Sequence, residues 1–184
     1  MRLFGTDGVR GVANEDLTPE LVFRLGRAAA HVLSVDGARF LLGRDTRLSG
    51  PMLEAALVAA ICSTGGTAIR AGIIPTPGAA YLARAADAFG VAISASHNPV
   101  EDNGLKFFGA DGFKLPDAVE EAIEATLTRG DLRRPTGEGI GTVEEMPDAA
   151  EHYVAYVADL ALMPAAGLRV VVDCAYGAAT SVAP

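Results

Sequence analysis

Tryptophan is absent from this chain, aromatic residues make up only 6%, cysteine occurs twice and histidine three times. Cys62 and Cys174 lie far apart in unlike settings, so they give no disulfide framework, and no Cys/His spacing suits zinc. Both thiols are expected reduced and packed. Positive charge is also scarce: 15 Lys and Arg face 23 Asp and Glu, a net charge of −8. That balance excludes nucleic acid as a general partner, while leaving room for a locally basic pocket. No apolar run approaches the ~20 residues that cross a bilayer. Met1-Arg2-Leu3 leads directly into Phe4-Gly5 with no apolar leader. The expectation is a soluble cytoplasmic protein with no membrane partner.

Apolar residues are plentiful: half of the 184 residues are hydrophobic, ample for one good-sized core or for one domain and part of another. Their patterning reads βαβαβαβ, which predicts an α/β fold, a mainly parallel sheet with helices on both faces. The first helix falls within Asn14–Leu33, with Thr18-Pro19-Glu20 as cap and first turn and Leu21, Val22, Leu25, Ala28, Ala29 and Val32 at helical spacing. Arg39–Gly43 reads as a buried strand, Ser49-Gly50-Pro51 as the cap of a helix ending at Ser63, and Thr67–Ile74 as the next strand. Pro75-Thr76-Pro77 opens a third helix to about Ala86, and Phe89–Ser94 is a strand. Gly104–Phe108 looks extended, and a fourth helix spans about Pro116–Thr128. Gly130–Pro147 reads as an exposed connection or irregular edge strand. A helix over Asp148–Leu162 and a strand over Leu168–Asp173 follow. The expected division is a domain over residues 1–146, then a connecting helix and the first strand of a second, similar α/β domain over 147–184.

The richest stretch is Val91-Ala92-Ile93-Ser94-Ala95-Ser96-His97-Asn98-Pro99. A buried strand ends abruptly in a hydroxyl, an imidazole and an amide, and Pro99 blocks helical continuation. Open α/β folds place their sites at such carboxyl edges. Ser94, two residues before Ser96, reads as a packed strand hydroxyl. Arg10 sits in a glycine-rich loop with Gly5, Gly8 and Gly11, and its guanidinium suits phosphate. His31 and His152 read as surface or packing histidines.

Three ordered segments, Phe4-Gly-Thr-Asp-Gly-Val-Arg-Gly11, Ser96-His97-Asn98-Pro99 and Asp102-Asn-Gly-Leu-Lys-Phe-Phe108, resemble the α-D-phosphohexomutase superfamily. The resemblance runs from Arg2 to about Ala179 and is nearest to its bacterial phosphoglucosamine mutase branch. It implies a phosphoserine at Ser96 that donates and accepts a phosphoryl group. It implies His97 and Lys106 as proton-handling groups, with Arg10 facing the phosphoserine. Gly43-Arg44-Asp45-Thr46-Arg47 matches a further family segment, with Arg44 and Arg47 read mainly as ion-paired architecture near the site. Asp7 and Thr6 shape their loop, Asn98 orients the serine loop, and Asn103-Gly104 supplies a turn. By the same resemblance Mg2+ is held between phospho-Ser96 and an Asp-Gly-Asp-x-Asp loop of a second domain. No such loop occurs in these residues, and Asp102 and Asp111 lack its spacing. Tyr176 stands where relatives often carry Asn.

The implied reaction interconverts glucosamine 6-phosphate and glucosamine 1-phosphate, a step toward cell-wall amino sugars, through a bisphosphorylated sugar. The chain by itself is then an incomplete enzyme. Its partner is a sugar phosphate, and a homodimer stays open. Rival readings are the same chemistry on mannose or glucose phosphates, a serine hydrolase using Ser96 and His97, and a non-catalytic phosphate-binding or dimer-forming module. The hydrolase lacks a Gly-x-Ser-x-Gly elbow.

Overall fold

In the computed structural model, residues 3–33, 37–130, 132, 134–160 and 167–184 are described. Six strands form one sheet: β1 (Val9–Val12), β2 (Arg39–Arg44), β3 (Thr67–Ile73), β4 (Phe89–Ile93), β5 (Asp102–Phe108) and β6 (Val143–Glu145). Their spatial order is β1-β5-β4-β2-β3-β6. β4, β2, β3 and β6 run parallel, while β5 is antiparallel to both of its neighbours, β4 and β1. The sheet is therefore mixed and mainly parallel.

Period-two alternation sends successive side chains to opposite faces. Phe40, Leu42, Val91, Ile93, Leu105 and Phe107 join one core; Leu41, Ala92 and Phe108, in between, join the other. The first core is covered by α1 (Pro19–Leu33), α2 (Gly50–Cys62) and α4 (Asp117–Arg129), the second by α3 (Thr76–Ala85) and α5 (Ala149–Asp159). Helices thus lie on both faces. α1 starts at Pro19, with the Thr18 hydroxyl accepting from the Leu21 N–H at 3.2 Å. Ser49 does not cap α2 with its side chain; its hydroxyl instead accepts from Asn103 Nδ2 at 2.9 Å.

The edge at β6 is short and charged. Glu144 meets Arg39 and Glu145 meets Arg70, each at 2.9 Å, which discourages a further strand from pairing there. α5 rests on α3, with Tyr156 stacked on Tyr81 at 3.8 Å and Ala149 buried. The expected end of this helix at Leu162 lies outside the described residues.

Three expectations are corrected. Asn103-Gly104 supplies no turn: both residues lie within β5, paired with Gly11 and Arg10 of β1. Arg10 is not in a loop: it is on β1, opposite Gly104 of β5. A four-residue strand broken by Gly11 carries almost no alternation of its own and exists through its distant partner. Leu168–Asp173 is not a strand: no described segment pairs with it, and Val171 is 96% exposed. Strand backbone needs a neighbour for its N–H and C=O groups, however apolar the residues.

Candidate active site

Because β2 and β4 are parallel and adjacent, their carboxyl ends bring two loops side by side. Asp45 follows β2 and donates its backbone N–H to Ile93 O at 3.0 Å; Ser94 follows β4. The Ser94 hydroxyl donates to Asp45 Oδ2 at 2.7 Å and accepts from the Ser96 N–H at 3.0 Å. Ser94 is therefore not a passively packed strand hydroxyl; it links the two loops. No local pattern reveals this, since the link depends on the register of strands some fifty residues apart.

Ser96 is exposed and adopts a left-handed backbone, φ +58°. Such a conformation costs an L-residue about 1–2 kcal/mol and must be held by its surroundings. His97 is also exposed, with Nδ1 3.4 Å from Ser96 Oγ. The Asn98 side chain donates to Asp102 Oδ2 at 2.8 Å and accepts from Arg10 NH1 at 3.2 Å. Arg10 thereby reaches the serine loop from the neighbouring strand.

Lys106 pairs with Asp7 Oδ1 at 2.9 Å, and Arg10 lies 3.6 Å from Asp7 Oδ2. The hydrogen bond and charge of Lys106, reinforced by Arg10, hold the Asp7 carboxyl below its ordinary value. Of the four residues singled out from the sequence, Ser96 and His97 line the cleft before the serine loop, while Arg10 and Lys106 do not; the contacts Lys106–Asp7–Arg10–Asn98 lead from those two cations to the serine loop. Gly8 makes this possible: at φ +88° it lets β1 lie so close to β5 that a Cβ would sit 2.2 Å from Leu105 O.

Behind the loop, Glu54 of α2 is 1% exposed and bridges Arg44 at 3.4 Å and Arg70 at 3.0 Å. Arg44 is ion-paired architecture in this sense. Arg47 pairs with Asp45 at 3.1 Å. A cleft of about 610 Å³ opens before Ser96, bounded by residues 43–48, 74–76, 92–100 and 174–179. Thr46 Oγ1 donates to Tyr176 O at 2.7 Å, tying the last of these segments to the β2 loop. His31 and His152 lie away from it; His152 pairs with Asp148. Both cysteines are free; Cys62 donates to Thr142 O, and its burial raises its thiol pKa. Cys174 faces the cleft.

Among the described residues no group of three His, Cys, Asp or Glu converges as a metal site. No helix among them is long and apolar enough to cross a membrane.

A mixed α/β sheet thus carries a serine loop at its carboxyl edge, with Arg10 and Arg47 hydrogen-bonded to that loop. The family model for phosphoglucomutase/phosphomannomutase, alpha/beta/alpha domain I, matches residues 1–134, and the chain belongs to that family. It is 63% identical over 187 residues to the phosphoglucosamine mutase of Desulforudis audaxviator, covering 99% of this chain and 42% of that one. To the phosphoglucosamine mutase of Moorella thermoacetica it is 59% identical, covering 100% and 42%. Among solved structures, a phosphoglucomutase/phosphomannomutase family protein from Burkholderia thailandensis superposes with a TM-score of 0.71 at 25% identity, covering 86% of this chain and 36% of that one. The chain therefore spans about 42% of the length of these curated relatives.

Proposed function

We propose that this chain is the phosphoserine-bearing part of a phosphoglucosamine mutase, an isomerase that interconverts glucosamine 6-phosphate and glucosamine 1-phosphate. The observation that carries the reading is Ser96, exposed in a left-handed turn at the mouth of the cleft with Arg10 tied to its loop through Asn98. The names of the curated relatives support the choice of sugar.

In the forward direction the phosphoryl group leaves Ser96 Oγ for O1 of glucosamine 6-phosphate. The P–Oγ bond breaks, the P–O1 bond forms, and the O1 proton ends on Ser96. The resulting glucosamine 1,6-bisphosphate reorients; its P–O6 bond breaks as a P–Oγ bond forms, the serine proton passes to O6, and glucosamine 1-phosphate is released with Ser96 phosphorylated again. A phosphoserine carries about −1.5 to −2 charges at neutral pH. Arg10 supplies compensating charge and bidentate donors. Lys106, paired with Asp7, offers a second cation and a proton carrier. His97, beside Oγ, handles the serine's proton.

Phosphate on Ser96 would present hard oxygen donors that suit Mg2+. Bound there, Mg2+ would offset charge on the transferring group. The described residues add no carboxylate cluster of their own, and this reading takes the remaining ligands from the aspartate loop that the family resemblance implies. The same reading divides the chain near residue 146, takes residues 147–184 as the start of a second unit, and expects the 184 residues alone to turn over little. It places the enzyme in the cytoplasm with a sugar phosphate as its partner, and keeps a homodimer as an open assembly.

The test is intact mass and peptide mapping of the natively produced full-length protein, followed by turnover on the 6-phosphates of glucosamine, mannose and glucose. One phosphate on Ser96, preference for the amino sugar and abolition by Ser96→Ala are expected. Preference for mannose or glucose would reassign the sugar. A Ser96 that never carries phosphate during turnover would remove the mechanism.

A further inference from the structure

Five polar hydrogens are available on an arginine guanidinium, and Arg47 spends all five on its own chain. Nε donates to Asp45 Oδ2 at 3.1 Å. NH1 donates to the carbonyls of Pro99 and Asp102, the latter at 2.9 Å. NH2 donates to the carbonyls of Ser96 at 3.1 Å and Asn98 at 2.8 Å. The Asp45 carboxylate that aims this fork also accepts the Arg47 backbone N–H at 3.0 Å and the Ser94 hydroxyl at 2.7 Å. Both side chains are nearly buried, at 11% and 12% exposure.

We propose that Arg47 is a positioning residue for phosphoryl transfer: it gathers three carbonyl oxygens of the serine loop and that of Asp102 at the start of β5, and fixes Ser96 in its left-handed backbone. The proposal rests on Ser96 being the phosphoryl carrier. With no donor left over, Arg47 does not bind substrate; it acts through the loop. Drawing the carbonyl of Ser96 and those of Asn98 and Pro99 onto a cation also turns their negative ends away from an incoming phosphate. Released from this grip, residue 96 relaxes from φ +58° toward ordinary backbone, and Oγ moves with it. A misplacement of about 1 Å costs on the order of 100-fold in rate. Lysine keeps the charge but has three donors from a single point, so it cannot span four carbonyls and Asp45 together.

The experiment uses the full-length protein and its Arg47→Lys and Arg47→Gln variants. Dephosphorylated enzyme is mixed with glucosamine 1,6-bisphosphate and phosphorylation of Ser96 is timed by mass. The dissociation constant for glucosamine 6-phosphate is measured by calorimetry, and thermal stability alongside. The expected result is a loss of roughly 100-fold in the transfer rate with affinity held within about threefold, the mark of an interaction that serves the transition state. If Arg47→Gln fails to fold, Arg47→Lys carries the comparison. A transfer rate in Arg47→Lys within about threefold of wild type overturns the proposal, as does a parallel fall in rate, affinity and stability. A wild-type protein that binds the sugar phosphate but never phosphorylates Ser96 removes the underlying reading, and the proposal with it.

Discussion

Replacing Gly8 by alanine tests how the arginine-bearing strand is held. Two effects add at this position. Alanine at φ +88° is strained by about 1–2 kcal/mol. Its Cβ would also lie 2.2 Å from Leu105 O and 3.1 Å from Lys106 Cα, both backbone atoms of β5, a strand paired on both sides. No side chain can swing away, so β1 must lift, at an overpacking cost of about 1–3 kcal/mol. Together these give about 2–5 kcal/mol, or a roughly 30- to 5,000-fold increase in opening of the β1–β5 ladder. Gly72, at φ +71° with nothing near its missing Cβ, supplies the control. Gly72→Ala carries only the backbone strain, and the opening of β3 rises roughly 5- to 30-fold. Hydrogen exchange read by mass over residues 9–12, 102–108 and 67–73 of the full-length protein measures both. A Gly8→Ala ladder as protected as wild type, or no worse off than β3 in Gly72→Ala, refutes the reasoning.

Glu54→Gln keeps the volume of a buried side chain but removes the charge shared by Arg44 and Arg70. A loss of about 1–3 kcal/mol is expected, smaller than for a fully buried pair because both arginines reach water. A melting temperature lowered by about 3–10 °C would register it, and an unchanged one would show the bridge to be idle. Asp7 has a lowered carboxyl pKa because of Lys106, so its tie contributes stability above the ordinary value of 3.8 and loses it as pH falls through the lower, folded value. The stability difference between wild type and Asp7→Asn should therefore be constant above about pH 5 and vanish in stronger acid. A carboxyl titration midpoint for Asp7 at or above 3.8 contradicts the pairing.

Much of the fold can be read along the chain because its helices carry local punctuation and its parallel strands are short apolar runs. Pro19, Pro51 and Pro77 mark first turns, and the apolar runs of β2, β3 and β4 fall within a residue or so of their strands. What escapes the sequence is what depends on partners far away. β1 exists through pairing with β5, and Leu168–Asp173 has the composition of a strand without a neighbour to make it one. The site divides in the same way. Ser96, His97, Arg10 and Lys106 stand in recognisable motifs. The Ser94–Asp45–Arg47 linkage needs the β2/β4 register before its atoms meet.

That β1, among the described residues, pairs only with β5 has a consequence for how the protein is made. Val9 leaves the ribosome long before Leu105, its partner in the ladder. At about 5–20 residues per second the wait is roughly 5–20 s. During it, β2, α2, β3 and β4 can assemble in order, while the segment bearing Arg10 has nothing to pair with. The first strand synthesised thus waits for the fifth. Arg10 comes beside the serine loop only once β5 has been made, so a chain stopped after β4 carries Ser94 and Asp45 in place but leaves Arg10 unplaced.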